Sequence, residues 1–414
     1  MGCASRLHPI GSTLILVRII CLLTVSTMSS FQSGLAIDPP KEGCIRIATF
    51  NMALNRKEIG QLSRDLERGD AQAEKIAAIV QWVRPDILLA NEVDFDNSRS
   101  ATLLRSKYLN VGKLLGTEAR NLFDFQYANE VNTGVPSGLD LNGNGRTTDP
   151  EDAWGFGAFP GQYGMAVFSR FPIVANKART FQHFLWKDMP NALQPGTGDK
   201  SVGNWKPYYS ESVWNQLRLS SKSHWDVPIQ VGDSVLHVIA SHPTPPVFDG
   251  PEDRNGCRNN DEIRLLQDYI EGKDYMVDDQ GVRGGLSSVK RFVILGDLNS
   301  DPTDGNGNMT GITSLLGSAR VNASFRPSSK GAVEAAEKQG NANRSHRADP
   351  AYDTGDFNDR EPGNLRVDFV IPSKELQVVG GGVFWPTEAE LRASKIDISE
   401  ASDHHLVWLD IQFP

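Results

Sequence analysis

Short apolar runs of strand length recur along most of the chain, separated by stretches that are polar or rich in turn residues. They cover Cys44–Phe50, Asp86–Ala90, Met165–Phe168, Val235–Ser241, Phe292–Leu295, Val367–Ile371 and Leu406–Ile411, and their Val, Ile, Leu and Phe content predicts strands. Between the first two, Ile76, Ile79, Val80 and Val83 repeat at helical spacing after a charged lead-in, and Pro85 ends that helix. A second helix is predicted over Asp261–Tyr269. Residues 128–161, 186–228 and 300–364 carry little periodicity and much Gly, Asn, Asp and Pro, so they read as surface excursions from a sheet-rich body. The pattern favours one α/β domain, residues 37–414, with large loop insertions. No repeat of solenoid or propeller period is present.

The first 36 residues differ from the rest. Arg6 and Arg18 are their only charged residues, an apolar run extends from Leu14 to Val25, and small and polar residues lead to Gly34-Leu35-Ala36. This predicts a secretory signal peptide, because the apolar run is shorter than the roughly 20 residues of a spanning helix. The protein is therefore expected to be secreted, to the periplasm or the extracellular space. With 51 acids against 42 Lys plus Arg the net charge is −9, and loss of those two arginines makes it −11. A chain this acidic has no basic footprint for gripping a polyanion through counterion release. Cys44 and Cys257 are the only cysteines left after such a cleavage; a disulfide and two free thiols both remain open.

Chemistry collects where the strands end. The runs lead into Asn51, Asn91-Glu92, Ser241-His242 and Gly296-Asp297-Leu298-Asn299, and Ser402-Asp403-His404 precedes the last one. Polar residues are common at strand ends because the chain turns there, but five such endings suit phosphate chemistry together. Glu92, Asp297, Asp403 and Asn51 are hard oxygen donors of the type Mg²⁺ or Mn²⁺ prefers, and neither a zinc cysteine cluster nor an HExxH motif is present. His242 and His404 can exchange protons near neutral pH.

The stretches RIATFNM, DILLANEVD, YGMAVFSRFPI, HVIASHPTPP, VILGDLNSDP, RVDFVIPS and SDHHLVWLDI resemble, in order, the endonuclease/exonuclease/phosphatase superfamily of metal-dependent phosphoesterases. The resemblance implies a four-layer α/β/β/α sandwich of two packed mixed sheets with the site at one rim. It implies a hydrolase of phosphoric esters using magnesium or manganese. Asn51, Glu92, Asp403 and Asp297 match the metal-site positions, and Asn299 the phosphate-binding asparagine beside Asp297. His404 matches the site histidine, Asp368 the carboxylate that orients it, and His242 a second histidine; Tyr163 occupies a position for phosphate contact. We take His404 as general base and His242 as general acid, with the reverse also open.

Other residues add candidates. Arg254 and Arg258, with Arg264, follow His242 and suit phosphate oxygens, although salt bridges to neighbouring acids explain them equally. Arg344, His346 and Arg347 form a second basic group. Residues 140–151 place Asp140, Asn142, Asn144, Arg146 and Glu151 at positions of a calcium-loop template, with Gly145 at its turn, which predicts an isolated structural Ca²⁺ loop. Trp205, Tyr208, Tyr209 and Trp214 read as packing or as contacts for a lipid substrate. The implied partner is a phosphorylated substrate, whether small molecule, lipid headgroup or nucleic acid; no stable protein partner is indicated and a monomer is expected. A secreted nuclease and a non-enzymatic, calcium-stabilised binding protein on the same fold are the alternatives.

Overall fold

The computed structural model describes residues 1–2, 37–111, 122–286 and 288–413. The predicted signal peptide lies almost wholly outside these residues. Among the described residues no helix is long and apolar enough to cross a membrane.

Every predicted strand forms, and they sort into two mixed sheets. The first has the order Gln377–Val383, Val407–Gln412, Cys44–Leu54, Ile87–Val93, Met165–Ser169, Phe125–Tyr127; the second, Asp368–Pro372, Phe292–Asp297, Ser234–Ser241, His224–Val231, Arg179–Thr180. Side chains alternate across each strand, and both faces are covered. Val293 and Leu295 point into the core between the sheets with Ile47, Leu89, Trp225 and Leu409. Their neighbours Phe292 and Ile294 point outward, against Ile263, Leu266, Ile312 and Leu315 of the helices Arg254–Ile270 and Thr310–Gly317. On the first sheet Phe50 and Leu88 pack outward against Leu62, Leu66, Ile79 and Val80 of Gln61–Arg68 and Ala71–Val83. This explains why the runs are almost continuously apolar rather than alternating, and it makes the four-layer α/β/β/α sandwich.

The Ala71–Val83 helix begins at Asp70, whose side chain accepts from the Ala73 N–H, and ends with Arg84 in a left-handed conformation before Pro85. The second predicted helix is longer than its apolar pattern, running from Arg254 to Ile270. Besides short pieces such as Phe125–Tyr127 and Arg179–Thr180, two longer strands lie outside the predicted set. His224–Val231 sits within or beside the 186–228 stretch and carries His224, Asp226 and Pro228, so it reads as loop, yet Trp225, Val227 and Ile229 fill the core between the sheets. Gln377–Val383 contains three successive glycines, and a Cβ on Gly382 would lie 2.6 Å from the Trp408 ring. The 186–228 stretch is therefore no simple surface excursion; Trp186, Leu217 and Leu219 in it are also buried. Cys44 and Cys257 are both free thiols.

Each sheet has one central parallel pair: Cys44–Leu54 with Ile87–Val93, and Ser234–Ser241 with Phe292–Asp297. Parallel strands end on the same edge, so Asn51, Glu92, His242 and Asp297 are carried to the carboxyl ends of their strands, where open α/β sheets build their sites. Gly296 allows the closest approach: a Cβ there would lie 2.0 Å from the Ser241 carbonyl oxygen on the adjoining strand.

Candidate active site

Asp297 is the centre of the constellation. It is 1% exposed, at the last position of its strand. Its Oδ2 accepts a hydrogen bond from Asn51 Nδ2 at 3.1 Å, across the seam between the sheets, and faces His242 Nε2 at 3.3 Å and His404 Nε2 at 3.7 Å. Its Oδ1 accepts from the Asn299 N–H at 2.9 Å. Behind His404, Nδ1 lies 2.9 Å from Asp368 Oδ2, which fixes the ring by a carboxylate–imidazole pair. Ser402 Oγ accepts from the His404 N–H and donates to the Asn51 carbonyl at 2.8 Å, while Phe357 meets the ring edge-on.

Backbone conformation is unusual here. Ala53, Glu92, Tyr163 and Asn299 all have positive φ, between 47° and 58°, a left-handed conformation that costs non-glycine residues free energy and gathers at functional sites. Glu92, half-buried, accepts from Asn55 Nδ2 at 2.9 Å. Asn299 donates its side-chain amide to the Pro243 carbonyl. The Tyr163 N–H donates to buried Asp94. Asp403 is exposed at the rim, and its carboxylate accepts no hydrogen bond from any described residue. A cavity of about 1140 Å³ opens above them, lined by Glu92, Tyr163, His242, Asp297, Asn299, Asp403 and His404.

Burial opposes charge on all the central groups, and their mutual placement decides which keep it. For Asp297 burial pushes the pKa up, but His404 and His242 outweigh it and hold the carboxyl well below its ordinary range. Burial lifts Asp368 to about 6 despite the pull of His404. Burial also disfavours an imidazolium at His404, yet Asp368 and Asp297 together raise it to about 10. His242 is pushed down by burial and by the positive charge of Lys222, against the opposing effect of Asp297. The two imidazoles that share Asp297 are thus biased in opposite directions, His404 towards its cation and His242 towards its neutral form.

The family profile of the Endonuclease/Exonuclease/phosphatase family matches residues 48–404, a span that contains this whole constellation. The chain belongs to that family. Proteins of the endonuclease/exonuclease/phosphatase family are mostly phosphoester hydrolases. Comparison with curated proteins gives no match. Among solved structures, an endonuclease/exonuclease/phosphatase from Beutenbergia cavernae is similar at 18% identity, covering 89% of this chain and 71% of that one, with TM-score 0.45. Sphingomyelinase C from Streptomyces griseocarneus is similar at 14% identity over 89% of this chain and 99% of its own, with TM-score 0.44. Beta toxin from Staphylococcus aureus, solved with bound magnesium ions, shows 13% identity over 88% and 99%, with TM-score 0.43.

Within this family member, Asp297, Asp368 and His404 bring ligand atoms within 4.8 Å of one another, a buried group that could bind a metal ion. Other predicted residues turn out differently. Arg258 borders the cavity, but its guanidinium donates to the carbonyls of Leu219, Trp154, Arg218 and Ser220, so it ties the backbone together rather than waiting for phosphate. Arg254 pairs with Glu252 and lies over the Tyr208 ring. Arg264 donates to the carbonyls of Pro190 and Asn191. Arg347 faces Asp304 and His346 meets the Pro362 carbonyl.

The 140–151 loop also differs from the calcium expectation. Asp140 accepts from the N–H groups of Gly143, Asn144 and Gly145, Asn142 from that of Asn144, and Asn144 from that of Arg146. Glu151 makes no hydrogen bond with the other four; its buried neighbour Asp152 accepts from Leu141 instead. No group of three or more His, Cys or carboxylate ligands gathers in this loop among the described residues, and its Asx acceptors are those of an ordinary turn, so the contacts lend the calcium expectation no support. Of the aromatics, Trp214 packs on Trp186 and Tyr208 on Tyr209.

Sequence reasoning missed three neighbours of the centre. Asn91 accepts from the Asp297 N–H, Thr354 Oγ accepts from the Val367 and Asp368 N–H groups, and Lys222 lines the cavity while being 6% exposed. Asn91 adjoins Glu92 at a strand end, which was a usable signal. A lysine among serines ahead of an unrecognised strand gives none.

Proposed function

We propose that this protein is a secreted, divalent-metal-dependent phosphoesterase that hydrolyses a phosphodiester or phosphomonoester by in-line attack of water, with His242 and His404 moving the protons. The observation that carries the reading is the shared Asp297 Oδ2, which faces both imidazoles and Asn51 from the floor of an open cavity.

Asn51, Glu92, Asp297 and Asp403 would hold Mg²⁺ or Mn²⁺. All are hard oxygen donors, the Asp403 carboxylate has no hydrogen-bonding partner among the described residues and Glu92 has one, Asn55; the ligand atoms already within 4.8 Å of one another are those of Asp297, Asp368 and His404, so Glu92 and Asp403 would have to close on the ion. When bound, the cation neutralises phosphoryl oxygens and acidifies water. His242, biased towards its neutral form, would accept a proton from the attacking water at Nε2, the nitrogen that now faces Asp297. His404, kept cationic by Asp368 and Asp297, donates one to the leaving oxygen. That is the reverse of the assignment made from sequence. Asn299, at the exposed side of Asp297, is placed to bind a phosphoryl oxygen.

The test is a panel of duplex DNA, RNA, sphingomyelin, inositol phosphates and simple phosphomonoesters with Mg²⁺, Mn²⁺ or Ca²⁺. Hydrolysis of at least one, lost in EDTA and restored by the metal, is the expected result. Full activity after exhaustive chelation would remove the metal, and no turnover of any substrate would remove the enzyme. Export is read from residues 1–36; recovery of the intact N-terminus in the cytoplasm alone would contradict it.

A further inference from the structure

Four cationic side chains border the cavity: Arg218, Lys222, Arg254 and Arg258. Three have their charged heads engaged. Arg258 holds backbone carbonyls, Arg254 pairs with Glu252, and Arg218 donates to Asn132 at 2.6 Å while lying over Trp154. Lys222 is the exception. It is 6% exposed, yet its ammonium makes no hydrogen bond with any described group and no ion pair within 4.0 Å.

Its backbone is tightly held. The Lys222 carbonyl accepts from the Asn132 N–H, and the adjacent Ser221 donates its N–H to Glu262 and its hydroxyl to the His242 carbonyl. Burial pushes the Lys222 pKa down; the charges of Glu262, Glu92 and Asp297 oppose that shift and Arg258 adds to it. Glu262 is the obvious structural partner, but its two oxygens already accept from the N–H groups of Ser221 at 2.6 Å and Thr244 at 2.7 Å. A buried lysine without a partner is costly, and such a group facing a cavity is prepared for an anion that arrives from outside.

We propose that Lys222 is the side chain that binds the phosphoryl group of the substrate, the part sequence reasoning gave to Arg254 and Arg258. This rests on the reading of the cavity as a phosphoester site. An arriving phosphate would supply the counter-charge that burial denies the ammonium, so that its oxygens meet a cation on the protein, beside His242 and Asp297, in addition to the one held by carboxylates.

The experiment titrates inorganic phosphate into the full-length, Mg²⁺-loaded wild type, Lys222→Met and Lys222→Arg, by calorimetry and by the phosphate-dependent rise in Tm, alongside kcat and KM on the best substrate. Lys222→Met is expected to weaken phosphate binding about tenfold or more, to lose the phosphate-dependent Tm rise, and to melt no lower than wild type without phosphate. Lys222→Arg should restore most of the binding. Unchanged phosphate affinity in Lys222→Met, or no phosphate binding by wild type, would overturn the proposal. So would a Lys222→Met chain that melts several degrees lower or does not fold, because the ammonium would then be a structural counter-ion for Glu262. If phosphate binds through Lys222 but no ester is hydrolysed, the functional reading fails and this one stands; hydrolysis with an unaltered KM in Lys222→Met has the opposite meaning.

Discussion

On the floor of the cavity Asp297, Asp368, His242 and His404 face one another in near-complete burial, and His242 Nδ1 and Asp368 Oδ1 are left with no partner. On its wall, Arg218, Arg254 and Arg258 carry equally polar side chains, but those are engaged by the protein itself. The two regions share one cavity and similar chemistry. What separates them is unsatisfied valence: an unpaired buried polar atom is expensive, so a site that tolerates several is arranged for something other than stability.

The contrast can be broken by mutation. Asp297→Asn and His242→Ala on the floor should each lower kcat/KM by about 10³-fold with a cooperative melting transition retained; near-normal turnover in either would dissolve the assignment. Arg258→Ala on the wall should act inversely, costing about 2 kcal/mol of stability through its lost carbonyl contacts while the folded fraction keeps most of its activity. A large loss of phosphate affinity there, without loss of stability, would return Arg258 to the site.

A third expectation concerns protons. His404 has its pKa raised from 6.5 to about 10, so in the metal-free chain its stabilising contribution is complete below about pH 6.5 and fades as pH rises towards 10. The Tm advantage of wild type over His404→Gln, measured in EDTA, should therefore shrink across that window; a constant difference would mean that the ring is held neutral. The smallest effect is at the loop. Asp140→Ala should cost about 1 kcal/mol, the value of a capping side chain, equally with calcium and with EDTA. A loss seen only in calcium would restore the ion-binding reading.

The sheets were legible because strands covered on both faces are apolar throughout, and the floor because strand ends collect Asn51, Glu92, His242 and Asp297 in one order along the chain. What escaped has physical causes. The His224–Val231 strand hides behind Asp226 and Pro228, although Asp226 is satisfied by His237 and Tyr269. Gln377–Val383 hides behind glycines that make room for Trp408. A basic cluster after His242 looked like a phosphate grip because sequence shows a guanidinium but not the carbonyls it meets. Lys222 was invisible for the converse reason, since nothing in a string of residues marks a charge as buried.

The Ser402 hydroxyl reaches the Asn51 carbonyl across 351 residues of chain, and the strand that follows, Val407–Gln412, lies antiparallel to Cys44–Leu54. Asp403 and His404 thus lie just ahead of a strand that pairs directly with the first. Closing so long a loop carries an entropic cost, and without that pairing Asp297 would have only one of its two histidines. The constellation is thus tied to the completeness of the first sheet: its residues meet only where the Cys44–Leu54 and Val407–Gln412 strands lie side by side.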